Sequence, residues 1–385
     1  MRKILRILFT LFVFAGIFLS HTLYSEDVIK YRKEEPSVVR IDSVAAERIS
    51  RKEIGISWKK EENPAIDAYV IKRREVKSGQ GVGSWEVIEN ISGDNEPENE
   101  KMYYIDRLES DTPQQYEYRI DVEIHDSQKN VSEEGKAVLG SNVKVCIDPG
   151  HYDVSKEVAQ VDEYHYIEGN VVLEIALELR DILKEQYGID SSMTRTGDTI
   201  TLGGYTDEEL DNKQISLRGA YAAEEDCDLF VSLHTNSNGE NANGEPTFFQ
   251  PLEVNKPMII LNQRACAEEP VVAAANTIGK NLAEVSYELG LSISDAFAQR
   301  SFGEIPEWTQ ELNDGFGIGT VVCRTGKNGD YYGVLRGAAS VDIPGMIIEH
   351  GHHSVQEVRR AAAAGKLARK WAEGDAAGIA AGFGF

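Results

Sequence analysis

The sequence predicts two unlike parts in series. An all-β sandwich over 36–140 is followed by an α/β domain over 141–385, whose mixed sheet is flanked by helices and carries its chemistry at the strand ends. Three observations lead there. Up to Gly140, apolar residues alternate with polar ones in short runs separated by turn residues, the pattern of half-buried strands. Beyond Ser141, continuous apolar runs alternate with segments of helical spacing, as in an α/β sheet. Three of those apolar runs lead into a histidine or a glutamate: His151, His234 and Glu349.

Ahead of both parts, residues 1–25 read as a signal peptide. Arg2, Lys3 and Arg6 make a basic start, the stretch from Ile7 to Leu19 is apolar apart from Thr10, and charge resumes at Glu26 and Asp27. The apolar run is short for a membrane span, so export with cleavage is expected, an uncleaved anchor being the alternative. Net charge is −24 over 385 residues, which argues against neutralising a run of phosphates and so against a nucleic-acid partner. It equally opposes docking on an anionic membrane by charge. Four cysteines, at 146, 227, 266 and 323, form no Cys-x-x-Cys pair, which removes a zinc ribbon or a redox motif. Cys146 and Cys227 fall in apolar runs and are expected as buried thiols. Export permits a bridge between Cys266 and Cys323, although spacing alone does not set connectivity.

In the first part, strands are expected at Ile54–Trp58, Ala68–Arg73, Trp85–Ile88, Tyr103–Leu108, Tyr116–Val122 and Ala137–Leu139. Gly79–Ser84 and Ser92–Glu100 read as loops between them, the first glycine-rich and the second a charged tip. Trp58, then Tyr69-x-Ile71-x-Arg73, then Tyr104-x-x-x-Leu108 ahead of Tyr116-x-Tyr118-x-Ile120 resembles a fibronectin type III domain, an immunoglobulin-like sandwich. No titratable residues cluster there. The resemblance implies a spacer, or a surface that docks on a wall or protein partner.

The second part opens on Val143, Val145 and Ile147, stopped by Asp148-Pro149-Gly150. Proline cannot donate to a ladder and glycine reaches backbone angles closed to other residues, so the chain turns there and delivers His151. Apolar positions Val172, Ile175, Ala176, Leu179, Ile182 and Leu183 then predict a helix that Gly188 ends, with Glu168 at its amino end. Ser192–Arg195 reads as a strand and Ile215–Ala222 begins a second helix. Asp228–Leu233 is a buried strand running into His234, and Pro344–Ile348 is another running into Glu349.

Two histidines and a carboxylate with an open fourth position are the ligand set of a catalytic zinc, and a further carboxylate nearby can take and return a proton. Glu168 and Glu349 are the candidates for the two carboxylate roles. The run Val145-x-Ile147-Asp148-Pro149-Gly150-His151, then Glu168-Gly169-Asn170-Val171-x-Leu173-x-Ile175-Ala176, resembles the opening motifs of the zinc-dependent N-acetylmuramoyl-L-alanine amidases of the type 3 family. Thr194-Arg195-x-x-Asp198, Leu217-Arg218, the run from Asp228 to His234-x-Asn236, and Ile348-Glu349-x-Gly351 continue it in order. The resemblance implies zinc held by His151, Glu168 and His234, with Glu349 as general acid/base. It also implies peptidoglycan as substrate, cut between N-acetylmuramic acid and L-alanine.

This chain departs from the family in having Tyr152 and Asp153 where glycines are common, and His352 where phenylalanine is usual. Those departures bear on the cleft more than on the metal. Asn236 and His352 are candidate substrate contacts, with a turn cap the alternative for Asn236 and the orienting of Glu349 the alternative for His352. Asp148 is expected to cap its turn, with a bond behind the ligands as the other reading. The plain reading of His350, His352 and His353 is solvated loop residues, and His165 is not counted as a ligand because no helical pattern precedes Gly169. Phe297, Phe302, Trp308 and Phe316 would either line a groove for sugar or peptide or staple a long loop down. Two other functions fit the pattern less well: a non-catalytic wall-binding protein, and a zinc peptidase acting within the stem peptide.

Overall fold

The computed structural model describes residues 37–77, 79–97, 100–125, 129–153, 163–237, 257–290, 309–311, 321–327 and 329–385. The expected signal peptide and the four aromatic residues from Phe297 to Phe316 lie outside them.

Among the described residues the first part holds nine strands: β1 (Ser37–Val39), β2 (Ala45–Ser50), β3 (Glu53–Lys59), β4 (Ile66–Lys77), β5 (Gln80–Ser92), β6 (Lys101–Arg107), β7 (Gln115–Ile124), β8 (Asn130–Ser132) and β9 (Val138–Ser141). They form antiparallel sheets in the orders β2-β3-β6 and β5-β4-β7-β9, with β1 and β8 paired separately. Alternate residues of both main sheets share one core, in which Ile54, Ile56 and Trp58 of β3 meet Tyr69 and Ile71 of β4 and Ile120 of β7. Gly79–Ser84 is not the expected loop. Gln80 to Ser84 belong to β5, and Gly79 makes the turn at φ +73°. Glycines at 81 and 83 offer no side chain to alternate, so a strand paired through its backbone to β4 carries no period-two signal there.

Among the described residues the second part builds one eight-stranded sheet from β10 (Lys144–Pro149), β11 (Asp190–Met193), β14 (Leu229–Asn236), β15 (Met258–Leu261), β16 (Thr309–Glu311), β17 (Val321–Gly326), β18 (Gly329–Asp330) and β19 (Gly345–His352). A short hairpin of β12 (Thr201–Leu202) and β13 (Tyr205–Thr206) stands outside it. The main path runs β11-β10-β14-β19-β15-β17-β16, parallel over its first four strands and antiparallel at β19–β15 and β17–β16. The sheet is therefore mixed, as expected.

Helices α1 (Glu168–Tyr187), α2 (Asp207–Asn212), α3 (Ser216–Glu224), α4 (Gln263–Cys266), α5 (Glu269–Glu288), α6 (Gly333–Ser340), α7 (Gln356–Ala363) and α8 (Ala368–Phe383) accompany it. The apolar stripes of α1, α5 and α8 cover one face of the sheet, and α3 and α6 cover the other around Phe230 and Ile347. Glycine makes the second layer thin: a Cβ on Gly219 of α3 would lie 2.0 Å from the Val334 carbonyl oxygen. No helix among the described residues is long and apolar enough to cross a membrane.

Cys266 and Cys323 form a disulfide between α4 and β17, and Cys146 and Cys227 are buried free thiols. The β-rich part rests on the amino ends of the α/β strands. Arg51 pairs with Asp228 at 2.8 Å, Lys184 Nζ donates to the Ala46 carbonyl at 2.6 Å, and Gln115 donates to the Tyr187 carbonyl at 2.6 Å. The carboxyl ends, where parallel strands gather their functional side chains, are on the other edge.

Candidate metal centre

Adjacent parallel strands bring the three strand ends together. Register places Pro149 beside Leu233, and His234 opposite Glu349. Beyond Pro149 the chain turns, and His151 takes φ +57°, a left-handed angle that costs a non-glycine residue energy and is held by its surroundings. Arg195 does much of that holding. Its guanidinium is buried and donates to the carbonyls of Pro149, Gly150 and Gly169 at 2.6–3.0 Å, tying the turn to the first turn of α1. Asp148 is not a simple turn cap. Fully buried, it accepts from Thr194 Oγ1 (2.5 Å), Ser232 Oγ (2.7 Å) and Arg218 Nε (2.9 Å). Burial opposes its charge, but Arg218 and these bonds outweigh that and hold its carboxyl below the usual range.

Around this turn His151, Glu168 and His234 each present a ligand atom within 4.8 Å of the others. His151 Nε2 lies 3.5 Å from Glu168 Oε2, and His234 Nδ1 lies 3.2 Å from Glu168 Oε1, which also accepts from the Thr235 N–H at 2.9 Å. The other nitrogen of His151, Nδ1, meets Asp211 Oδ2 at 2.9 Å. Burial disfavours the charged imidazole, yet Glu168 and Asp211 overcome it and raise His151 well above its ordinary value. Glu168 is held well below the carboxylate range against its own burial, chiefly by His151. The cluster thus demands positive charge, and two imidazoles with one carboxylate are a donor set that suits a divalent cation such as zinc.

Glu349 stands apart from that cluster in character. Its Oε2 is buried without a hydrogen-bond partner among the described residues. Burial raises its pKa to about 7, with Glu168 adding to the shift and His234 opposing it. A carboxyl poised there exchanges protons near neutrality.

Among the remaining expectations, Asn236 Oδ1 accepts from the Ser237 N–H, a cap on its own turn, and its register partner is His352. His165 lies outside the three-residue cluster. His350, His352 and His353 are not solvated. All three are buried: β19 runs on to His352 instead of ending at Ile348, His350 packs on Trp371 of α8, and His353 stacks on Tyr166. Burial, helped by His353, lowers the His352 pKa to about 3, so it is neutral.

A family model described as N-acetylmuramoyl-L-alanine amidase matches residues 145–381, more than half the chain and every site residue just described. The chain belongs to this family. Solved structures similar to the amidase domain include the catalytic domain of CwlV from Bacillus (Paenibacillus) polymyxa var. colistinus, at 19% identity over 62% of this chain and 96% of that one, with a TM-score of 0.39. Another is the N-acetylmuramoyl-L-alanine amidase of Clostridium difficile 630, at 18% identity over 62% and 94%, with a TM-score of 0.39. A third, from Mycobacterium smegmatis, shows 16% identity over 63% and 97%, with a TM-score of 0.40. These scores are too low to carry the assignment, which rests on the family match. No curated protein matches the chain significantly.

Three residues of the amidase site escape a reading of the sequence. Asp211 sits in an acidic stretch where nothing marks one carboxylate from its neighbours. Tyr166 stacks on His353 with ring centroids 5.3 Å apart and shares Thr235 Oγ1 with it. Asp375, which meets His350 Nε2 at 2.8 Å, did leave a signal: it is the one acid of the Ala- and Gly-rich run 374–382 within α8.

Gly150 carries a prediction. A Cβ there would lie 2.3 Å from the His234 ring, so Gly150→Ala must displace that imidazole or the turn. Overpacking costs about 1–3 kcal/mol, and the variant is expected to stay folded by circular dichroism while losing most activity on purified wall.

Proposed function

We propose that the chain is a secreted, zinc-dependent amidase that cuts the amide between N-acetylmuramic acid and L-alanine in peptidoglycan. Family membership gives the reaction. The observation that supports the rest is the convergence of His151, Glu168 and His234 within 4.8 Å, beside the unpartnered carboxyl of Glu349.

In this reading His151, Glu168 and His234 hold the zinc ion. When bound, zinc supplies Lewis acidity toward the amide carbonyl and toward water. Asp211 fixes the His151 ring by engaging Nδ1, which leaves Nε2 facing the ligand cluster. Glu349 takes the proton of the attacking water and returns it to the alanine nitrogen as the amide bond breaks. Asn236 and His352 shape the substrate cleft at the same strand ends, His352 from a buried position. The segment 1–25 directs export, 36–140 forms a fibronectin type III-like module that docks on the wall or on a protein partner, and 141–385 is the catalytic unit.

The test is turnover of muropeptides by the mature protein with and without a chelator. New amino termini on L-alanine are expected, lost on chelation and restored by zinc. His151→Ala is expected to purify without metal by elemental analysis. Retention of muropeptide without release of alanine termini, or cleavage deeper in the stem, would replace this reading with a binder or a peptidase.

A further inference from the structure

We propose that Asp375 and His350 form a positioning pair that holds His234 and Glu168 in place for the metal, tying the site to the last helix of the chain. The inference rests on the reading of those two residues as ligands.

His350 and Asp375 are both fully buried. His350 Nδ1 lies 2.9 Å from the carbonyl oxygen of His234, and His350 Nε2 lies 2.8 Å from Asp375 Oδ2. A carbonyl only accepts, and so does an ionised carboxylate. Nδ1 of His350 therefore donates to the His234 carbonyl, and Nε2 faces the Asp375 carboxyl, an arrangement that favours the charged ring. The ring also packs on Trp371, one turn earlier in α8, with centroids 5.3 Å apart.

The peptide group that receives this bond is the one linking His234 to Thr235. Its N–H donates to Glu168 Oε1 at 2.9 Å. One peptide plane is thus clamped from both ends, by His350 at the carbonyl and by Glu168 at the N–H. Rotation of that plane would move the His234 ring and release Glu168 together.

Stability does not account for the pair. Asp375 Oδ1 has no hydrogen-bond partner among the described residues, and buried ion pairs are often matched or bettered by apolar residues of similar volume. What the pair does supply is a fixed donor behind the strand that bears His234. Partners of this kind behind metal ligands typically change affinity by about 10–100-fold when removed.

The experiment measures zinc affinity of the full chain by competition with a chromophoric chelator, and the visible absorption spectrum of the cobalt(II)-substituted protein. The double variant His350→Phe/Asp375→Leu removes the clamp without leaving a lone buried charge. It is expected to fold, to bind zinc about 10–100-fold more weakly and to show an altered cobalt spectrum. Asp375→Asn is expected to recover most of the affinity. A neutral His350 can still donate from Nδ1 to the His234 carbonyl while Nε2 accepts from the amide.

Should the double variant not fold, Asp375→Ala is compared with Asp375→Asn, with loss expected in the first and retention in the second. Affinity and spectrum unchanged in the double variant, or equal between the two single variants, overturn the proposal while leaving the metal site standing. If the unaltered protein takes up no zinc, the ligand reading falls and this inference falls with it.

Discussion

Glutamine in place of Glu349 is expected to leave bound zinc unchanged and to lower the release of stem peptides from purified wall by about 10²–10⁴-fold, the usual contribution of a positioned acid/base. The side chain keeps its shape, and Glu349 is not among the three residues that converge as ligand donors, so metal content measured by elemental analysis should match the unaltered protein. What is lost is the exchangeable proton. Burial has raised this carboxyl to about 7, where it both takes and returns a proton, and an amide does neither. The loss should fall on kcat, with KM little changed, because the residue acts as the bond breaks and not as substrate binds. Full activity in the variant would remove Glu349 from the mechanism.

The parts of this site that were legible in the sequence share a physical cause. His151, His234 and Glu349 follow apolar runs, and adjacent parallel strands bring such positions to one edge, so their order along the chain was nearly a map of their meeting. Glu168 was legible as the first residue of an amphipathic helix that Gly188 closes in the left-handed conformation. The mixed sheet and the alternating strands of the first part were legible for the same reason, periodicity reporting which face is buried. What the pattern could not report is which polar side chains meet at long range. Asp211 reaches His151 from across 60 residues of sequence, and no local spacing encodes that. His350, His352 and His353 looked solvated because histidine-rich strand ends usually are. They are buried by long-range packing that no local spacing reports, such as Trp371 of α8 on His350 and Tyr166 on His353. The Gly79–Ser84 stretch failed in the opposite direction: glycine erased the alternation of a real strand, leaving only its partner to define it.

Arg218→Met is expected to be the most destabilising single change near the site, by about 3–5 kcal/mol, because it leaves the Asp148 carboxylate buried without its counter-charge. Arg218 is 1% exposed and bonds to Asp148 at 2.9 Å, to the Pro149 carbonyl at 2.6 Å and to the His151 carbonyl at 3.2 Å, so the turn that aims His151 loosens as well. A drop in melting temperature on the order of 10 °C follows.

The pH dependence separates this cause from simple loss of packing. In the unaltered protein the folded-state pKa of Asp148 is depressed. Its contribution to stability is present above the unfolded value of about 4 and is lost as pH falls through the folded value. In the variant burial acts unopposed by Arg218, so the folded-state pKa of Asp148 rises and the carboxylate is a burden at neutral pH that protonation relieves. The gap in melting temperature between the two proteins should therefore be widest near pH 7 and narrow as pH falls toward 4. Adding Asp148→Asn to Arg218→Met should recover part of the loss at pH 7, since a neutral amide needs no counter-charge. A gap that stays constant with pH, with no recovery in the double variant, would mean that the guanidinium matters for the space it fills and not for its charge.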